Sequence, residues 1–484
     1  MAVDEPTRPG PSPTTERRRA GWASLRPLRH RSFALVWAAA LVSNVGTWME
    51  TVAVGDLVAV RTGEAGWTAF VAAAAFLPMG LMGPIGGAIA DRVDRRQFVF
   101  VTTSLHALCA ATLTGLSATG RASPGAVAAV VFVAGCVSGI GFPAYTAMLP
   151  DLVPREDLLG AVSLGQAQYN LGRVVGPALA GIAIALGSYT AAFALNTLSF
   201  GAMLAALAAL RLPHRPTPAD EGSLWARIRV GARAARREPG VRAAILLISV
   251  VALTASPFIA LLPAMARVRH DGGPGLTSVF VTAQGVGAVV GALAVPALAE
   301  RVGRHRLLMA GFVALPVALA LYGVAPSPGW ATLALVGVGA TYIAVFSGIG
   351  TVVQLRAPAH LRARVVSLYF LALGALYPLG ATVQGPIADR VGLGPVTVGA
   401  AFALLGVVAL LRSVRPDTLR ALDDVDAYPG PLDEPVVAPA TSNPGAPGWA
   451  RMAECSTTSR SSAPTCPPAP PSTTPCSPRS GARA

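Results

Sequence analysis

The chain has 484 residues, of which 53% are hydrophobic and 13% charged, and its formal net charge is +14 at pH 7. An ordinary soluble domain carries about 25% charged residues, and here the charges crowd toward the two ends of the chain. Length would allow three soluble domains, but a middle section this apolar cannot clothe a water-soluble surface. A polytopic membrane protein is expected.

Every one of the 38 basic residues is arginine. Such an excess of positive charge would also suit nucleic-acid binding, and the placement of the arginines has to decide. Cys109 and Cys136 lie in apolar runs, while Cys455, Cys466 and Cys476 lie in the tail without metal-like spacing. Neither a disulfide framework nor a zinc site is expected. Arg17, Arg18 and Arg19 stand well ahead of the first apolar run, which argues against a cleavable leader.

Apolar stretches long enough to cross a bilayer as helices run over about 33–58, 67–90, 97–119, 125–149, 161–186 and 189–210. A basic connection over 211–242 follows, then six more stretches at about 243–265, 275–299, 307–325, 329–353, 365–388 and 394–412. Gly- and Ala-rich interiors favour close-packed helices over barrel strands. The expected organisation is a tail over 1–32, a six-helix bundle over 33–210, a linker over 211–242, a second bundle over 243–412 and a disordered tail over 413–484. Residues 435–484 are rich in Pro, Ser, Thr and Ala and have too little to bury. Within the linker, Ser223 to Arg237 reads either as an amphipathic helix lying on anionic lipid or as a solvated connection.

With the N-terminus placed in the cytoplasm, the first tail and the even-numbered connections carry 25 arginines, against five outside: Arg61, Arg121, Arg267, Arg269 and Arg390. That bias places both termini inside. It also removes the nucleic-acid reading, because the basic charge is spread as topology demands. The halves repeat each other: Pro154, Val162, Ser163, Leu164 and Gly176 return as Pro358, Val366, Ser367, Leu368 and Gly380. Ala90-Asp91-Arg92-Val93 returns as Ala299-Glu300-Arg301-Val302, and a third copy, Ala388-Asp389-Arg390-Val391, faces the other side. Parallel six-helix repeats place a substrate path between the halves, with access alternating by rocking.

Between the second and third spans the chain reads Gly87-Ala88-Ile89-Ala90-Asp91-Arg92-Val93-Asp94-Arg95-Arg96. This resembles the major facilitator superfamily signature, with Asp94 in its second glycine position; the second-half version, Glu300-Arg301-Val302-Gly303-Arg304, keeps the glycine. The resemblance implies a cytoplasmic gate built from Gly87, Asp91, Arg92, Arg95 and Arg96 with Asp151 as a third member, and a second-half gate from Glu300, Arg301, Gly303 and Arg304. Gly172, Gly176, Pro177 and Gly181 in the fifth span resemble the superfamily's antiporter motif, with Ala180 replacing one glycine, and this implies export in exchange for protons. The passages 149–156 and 361–368 look like those of the transmembrane secretion effector branch, which is similar to the enterobactin and macrolide exporters. That branch implies siderophores or drug-like molecules as cargo.

Two ionisable residues lie deep in a span, where a charge costs roughly 2.5–3.5 kcal/mol even on permissive scales. Arg173 is about 18 Å into the fifth span and Glu50 about 25 Å into the first, at 1.5 Å per residue. Asp56 reads as an interfacial residue, where water makes its charge cheap. A carboxylate that meets apolar and charged surroundings in turn can take up and release a proton, so Glu50 is the expected proton carrier. Arg173 is the second proton-coupling candidate, and the alternatives are a fixed Glu50–Arg173 pair, offset axially by about 7 Å, or an exposed cavity-wall role for Glu50. Asn44, Trp48, Tyr145, Gln166, Tyr169, Asn170, Gln284 and Tyr342 are candidates to line the path.

Without lysine there is no P-loop, and no nucleophile–base or metal cluster emerges. The expectation is a non-enzymatic, cofactor-free monomer of the bacterial cell membrane. It would be a proton-coupled exporter, with uptake symport or a non-transporting receptor on the same fold as alternatives.

Overall fold

The computed structural model describes residues 25–422 apart from 91, 187, 211–223, 274 and 359–360. Most of the two expected tails, and with it Cys455, Cys466 and Cys476, lies outside them. Twelve helices among the described residues are long and apolar enough to cross a bilayer. They are α1 (Arg31–Thr62), α2 (Ala65–Ala90), α3 (Arg95–Ala118), α4 (Pro124–Met148), α5 (Leu158–Leu186) and α6 (Tyr189–Ala209). The second set is α7 (Pro239–Arg269), α8 (Leu276–Val302), α9 (Arg304–Gly323), α10 (Pro328–Arg356), α11 (Arg362–Val391) and α12 (Leu393–Val414). Leu198, Leu293, Leu108 and Phe402 are all more than half exposed, as side chains turned to lipid should be. The linker does form a helix, Leu224–Arg237, which buries Ala234 and Ala235 against the second bundle.

Local chemistry starts several helices where the apolar runs begin. Asp94 accepts from Gln97 N at 2.8 Å to cap α3, and Ser123, Ser188 and Ser327 cap α4, α6 and α10 in the same way. Asp94 therefore has a structural use for its departure from the signature glycine. The seventh span is broken rather than continuous. Its helix stops at Thr254, resumes over Phe258–Ala264 after Pro257, and ends in a π-turn over Met265–Arg269. Proline removes the backbone donor that an unbroken span needs.

Packing reproduces the sequence repeat. The neighbours α2–α4, α1–α5, α3–α6 and α3–α4 return six helices later as α8–α10, α7–α11, α9–α12 and α9–α10. Small residues make these contacts possible. A Cβ at Gly139 would come 2.7 Å from Met79 O, and one at Gly291 would come 2.6 Å from Ala340 O. Gly86, just before the signature, packs in the same way on Ile140, whereas an added Cβ at Gly87 meets nothing within 4 Å.

The two sets of helices meet chiefly along α2–α11 and α5–α8. On the α2–α11 seam, Gly385 meets Ala69, Phe76 meets Tyr377 edge-on at 5.6 Å, and a Cβ at Gly80 would lie 3.2 Å from the Gly374 backbone. From Gly66 to Gly80 this contact spans about 21 Å at 1.5 Å per residue. Beyond it, a Cβ at Gly83 meets nothing within 4 Å. On the α5–α8 seam, Gly181 packs on Ser278 and Gly285 on Val174. Past that point Gln166 and Asn170 of α5 are exposed. Both seams are thus closed at the end carrying the α1–α2 and α11–α12 connections, and part toward the arginine-rich end that carries the 87–96 signature.

Candidate functional site: the seam between the two bundles

The closed end is held by a charge cluster between the bundles. Asp56 of α1 is wholly buried, and Arg267 donates to it from Nε at 2.7 Å and from Nη2 at 2.5 Å. Tyr189 donates to the same carboxylate at 2.7 Å, and Thr277 of α8 supplies another hydroxyl. Asp56 is therefore no interfacial residue. A buried carboxylate is tolerated where a cation and hydrogen bonds replace its water, and this cluster provides both. The π-turn that ends α7 presents Arg267 to α1, and Arg267 Nη1 also donates to Gly272 O at 2.7 Å. Beside it, burial and the neighbouring Arg269 hold His270 below the usual imidazole value, so near neutral pH this ring adds no charge to the cluster.

A second tie crosses the same end. Asp389, from the third copy of the signature, accepts from Ala65 N at 2.6 Å and Gly66 N at 2.9 Å, so that α11 caps the N-terminus of α2. Those two N–H groups have no partner within their own helix, and the helix dipole favours a carboxylate there.

The motif in α5 packs mainly on α1 and reaches the seam only at its far end. Gly172 packs on Asn44 and Gly176 on Val45 and Trp48, all on α1, while Gly181 reaches Ser278 on α8. Pro177 sits inside α5 immediately after Gly176. Asn44 extends the α1–α5 contact by donating to Gln168 O at 3.3 Å and Tyr169 O at 3.0 Å.

The structure does not pair the two deep charges. Glu50 accepts from Asn196 of α6 at 2.7 Å, within the first bundle. Arg173 donates to Gln284 of α8 at 2.9 Å, across the seam, and lies 5.7 Å from the centre of the Trp48 ring. Their axial heights allowed a contact, but their directions around the helix axes separate them.

At the arginine-rich end the signature arginines tie their own bundle together. Arg95 bonds Asp151 at 3.2 Å and Ala147 O at 3.1 Å, joining α3 to the end of α4. Arg96 donates to Leu207 O and Ala208 O at the C-terminus of α6, where carbonyls lack helical partners. Arg92 is exposed, and Asp91 lies outside the described residues. In the second bundle Glu300, Arg301 and Arg304 are exposed, with no ion pair among the described residues, and Gly303 takes φ +89° between α8 and α9.

Of the path candidates, Trp48 and Tyr169 meet edge-on at 5.9 Å beside Arg173, and Asn170 bonds Gln166 O on its own helix. Tyr342 is instead packed inside the second bundle, with its hydroxyl 3.0 Å from that of Ser256. Tyr145 packs against the core of the first bundle. His106 is bonded by Thr102 O and Ser138 Oγ and stacks on Phe200. The roles that the sequence reading missed are those of Arg267, Thr277, Tyr189, Asn196 and Asp389. The signals for the Asp56 cluster were faint: one Arg near the end of a proline-broken span, and one Asp near the end of another.

The model of the transmembrane secretion effector family matches residues 22–444 of this chain. The chain belongs to that family. This secretion-effector chain is 30% identical over 403 residues to the multidrug efflux pump Tap of Mycobacterium tuberculosis, covering 80% of this chain and 94% of Tap. It is 24% identical over 371 residues to macrolide efflux protein A of Streptococcus pyogenes, covering 75% and 90%. Among solved structures it resembles the nucleoside transporter NupG with a TM-score of 0.60 and 12% identity, covering 82% and 99%. It also resembles a peptide transporter POT bound to sulfate, with a TM-score of 0.62 and 16% identity, covering 81% and 96%. At these identities the structural likeness concerns the fold, that of the major facilitator superfamily. The secretion-effector chain is a multi-pass transporter of the bacterial plasma membrane.

Proposed function

We propose that the chain is a proton-coupled exporter of small drug-like organic molecules, with both termini in the cytoplasm. Its similarity to two efflux proteins carries the reading. With the arginine-rich end inside, the seam opens to the cytoplasm and the Asp56–Arg267 cluster closes the outer end, a state suited to loading cargo from within. The signature residues Arg95, Arg96 and Asp151, together with Asp91, then gate the inner end when the outer end opens. Glu50 serves as the proton carrier. Asn196, the hydrogen-bond partner that this structure gives Glu50, is neutral, so the carboxyl can be protonated without leaving a cation unpaired. Asp56, bonded by an arginine and two hydroxyls, is fixed by comparison.

The test uses everted membrane vesicles with an acid interior, challenged in turn with erythromycin, ethidium and carboxyfluorescein. The wild-type protein should release protons on addition of at least one of them. Glu50→Gln should insert normally and reduce that proton movement to background. Proton movement unchanged in Glu50→Gln sinks the assignment of the carrier, and none with any of the three compounds sinks coupled export.

A further inference from the structure

We infer that Arg173 is the group that grips cargo and that the cargo it takes carries an acidic oxyanion, a carboxylate or its equivalent; this rests on the export reading. Going inward from the closed end, the Arg173–Gln284 bond lies beyond the Gly181–Ser278 contact and level with Gly285–Val174, past which Gln166 and Asn170 are exposed. Gln166, Asn170 and Arg173 are spaced i, i+4 and i+7, and so share one stripe of α5. Gln166 and Asn170 are exposed. Amides exposed in mid-membrane belong on a water-filled wall rather than against lipid, so the stripe faces the opening.

The guanidinium on that wall lacks a counter-ion. It has five N–H donors, and its described contacts are the Gln284 amide oxygen and the Trp48 ring, both neutral. Among the described residues no carboxylate pairs with it, since Glu50 is bonded by Asn196 and Asp56 by Arg267. Gln284 adds a second unmet demand. Its side chain is 2% exposed, and its amide nitrogen has no acceptor among the described residues. Two adjacent donor groups wanting an acceptor, one of them a cationic fork, match a two-oxygen anion, which arginine binds bidentately. The Trp48 and Tyr169 rings alongside supply an apolar flank for the rest of such a molecule. An anion on Arg173 competes with Gln284 for the guanidinium. Filling the site therefore loosens a bond between the bundles.

The experiment measures binding to the purified full-length protein in detergent, by fluorescence polarisation of carboxyfluorescein, an anion, and rhodamine 123, a cation of related ring size. The wild type should bind the anion more tightly. Arg173→Gln should weaken the anion about tenfold or more, as expected for loss of a charge-assisted bond, and leave the cation unchanged; Arg173→Lys, a point charge without the fork, should fall between. Preference for the cation, equal anion binding by Arg173→Gln, or binding of neither dye overturns the proposal. Should Arg173→Gln fail to fold, the wild-type comparison of the two dyes decides alone. Binding is read without a gradient, so a failure of coupled export and a failure of this site are separable.

Discussion

Arg267→Ala should destabilise the closed end by about 3–5 kcal/mol, the usual result of removing one partner from a buried pair. The substitution leaves Asp56, wholly buried, with only the Tyr189 and Thr277 hydroxyls. The protein can relieve this by opening that end to water. Two readouts follow: a lower melting temperature in detergent, and reaction of a cysteine at Ser278, now covered by Gly181, with an impermeant thiol reagent from outside. A doubly apolar variant, Asp56→Leu with Arg267→Leu, should recover part of the loss, because it leaves no orphan charge. Asp389→Ala should have a smaller effect of about 1 kcal/mol, the size of a lost helix cap. If Arg267→Ala melts like the wild type and leaves Ser278→Cys unreactive, the cluster does not hold the end closed.

The second large effect is expected at Gly287. A Cβ there would overlap the Val336 carbonyl of α10, a backbone atom that cannot swing aside. Gly287→Ala should therefore cost about 1–3 kcal/mol, the range for forced overpacking, and Gly287→Leu should cost more and reduce the yield of monodisperse protein. Gly201, where an added Cβ meets nothing within 4 Å, is the control, and Gly201→Ala should leave the melting temperature unchanged. Equal melting of the two alanine variants would remove close α8–α10 packing as a source of stability.

Much of the fold was legible in the sequence because a membrane span is written in hydropathy alone. The twelve spans and the repeat linking Pro154 to Pro358 required no knowledge of neighbours. The site was less legible, because a linear rise locates a residue along its helix but not around the bundle. Glu50 and Arg173 were given compatible heights, and only packing shows that one turns to α6 and the other to α8. Asp56 was misread for a related reason. Its partner lies 211 residues away, and the π-turn that aims Arg267 has no periodic signature. The signature at 87–96 was legible as a motif, yet Gly86 and Gly87 differ in use: one packs on α4, while an added Cβ on the other meets nothing.

The charge cluster at the closed end also sets a condition on what can drive transport. A ligand shifts a conformational equilibrium only by the difference in its affinities for the two states. Opening that end breaks the Asp56–Arg267 contacts but returns both charges to water, which offsets much of the loss, and the opened state has to make up the remainder. Cargo and proton together must then favour that state about tenfold for every 1.4 kcal/mol of that remainder, less whatever new contacts form at the other end. A molecule held equally well in both states, however tightly, would occupy the seam and stay there as an inhibitor.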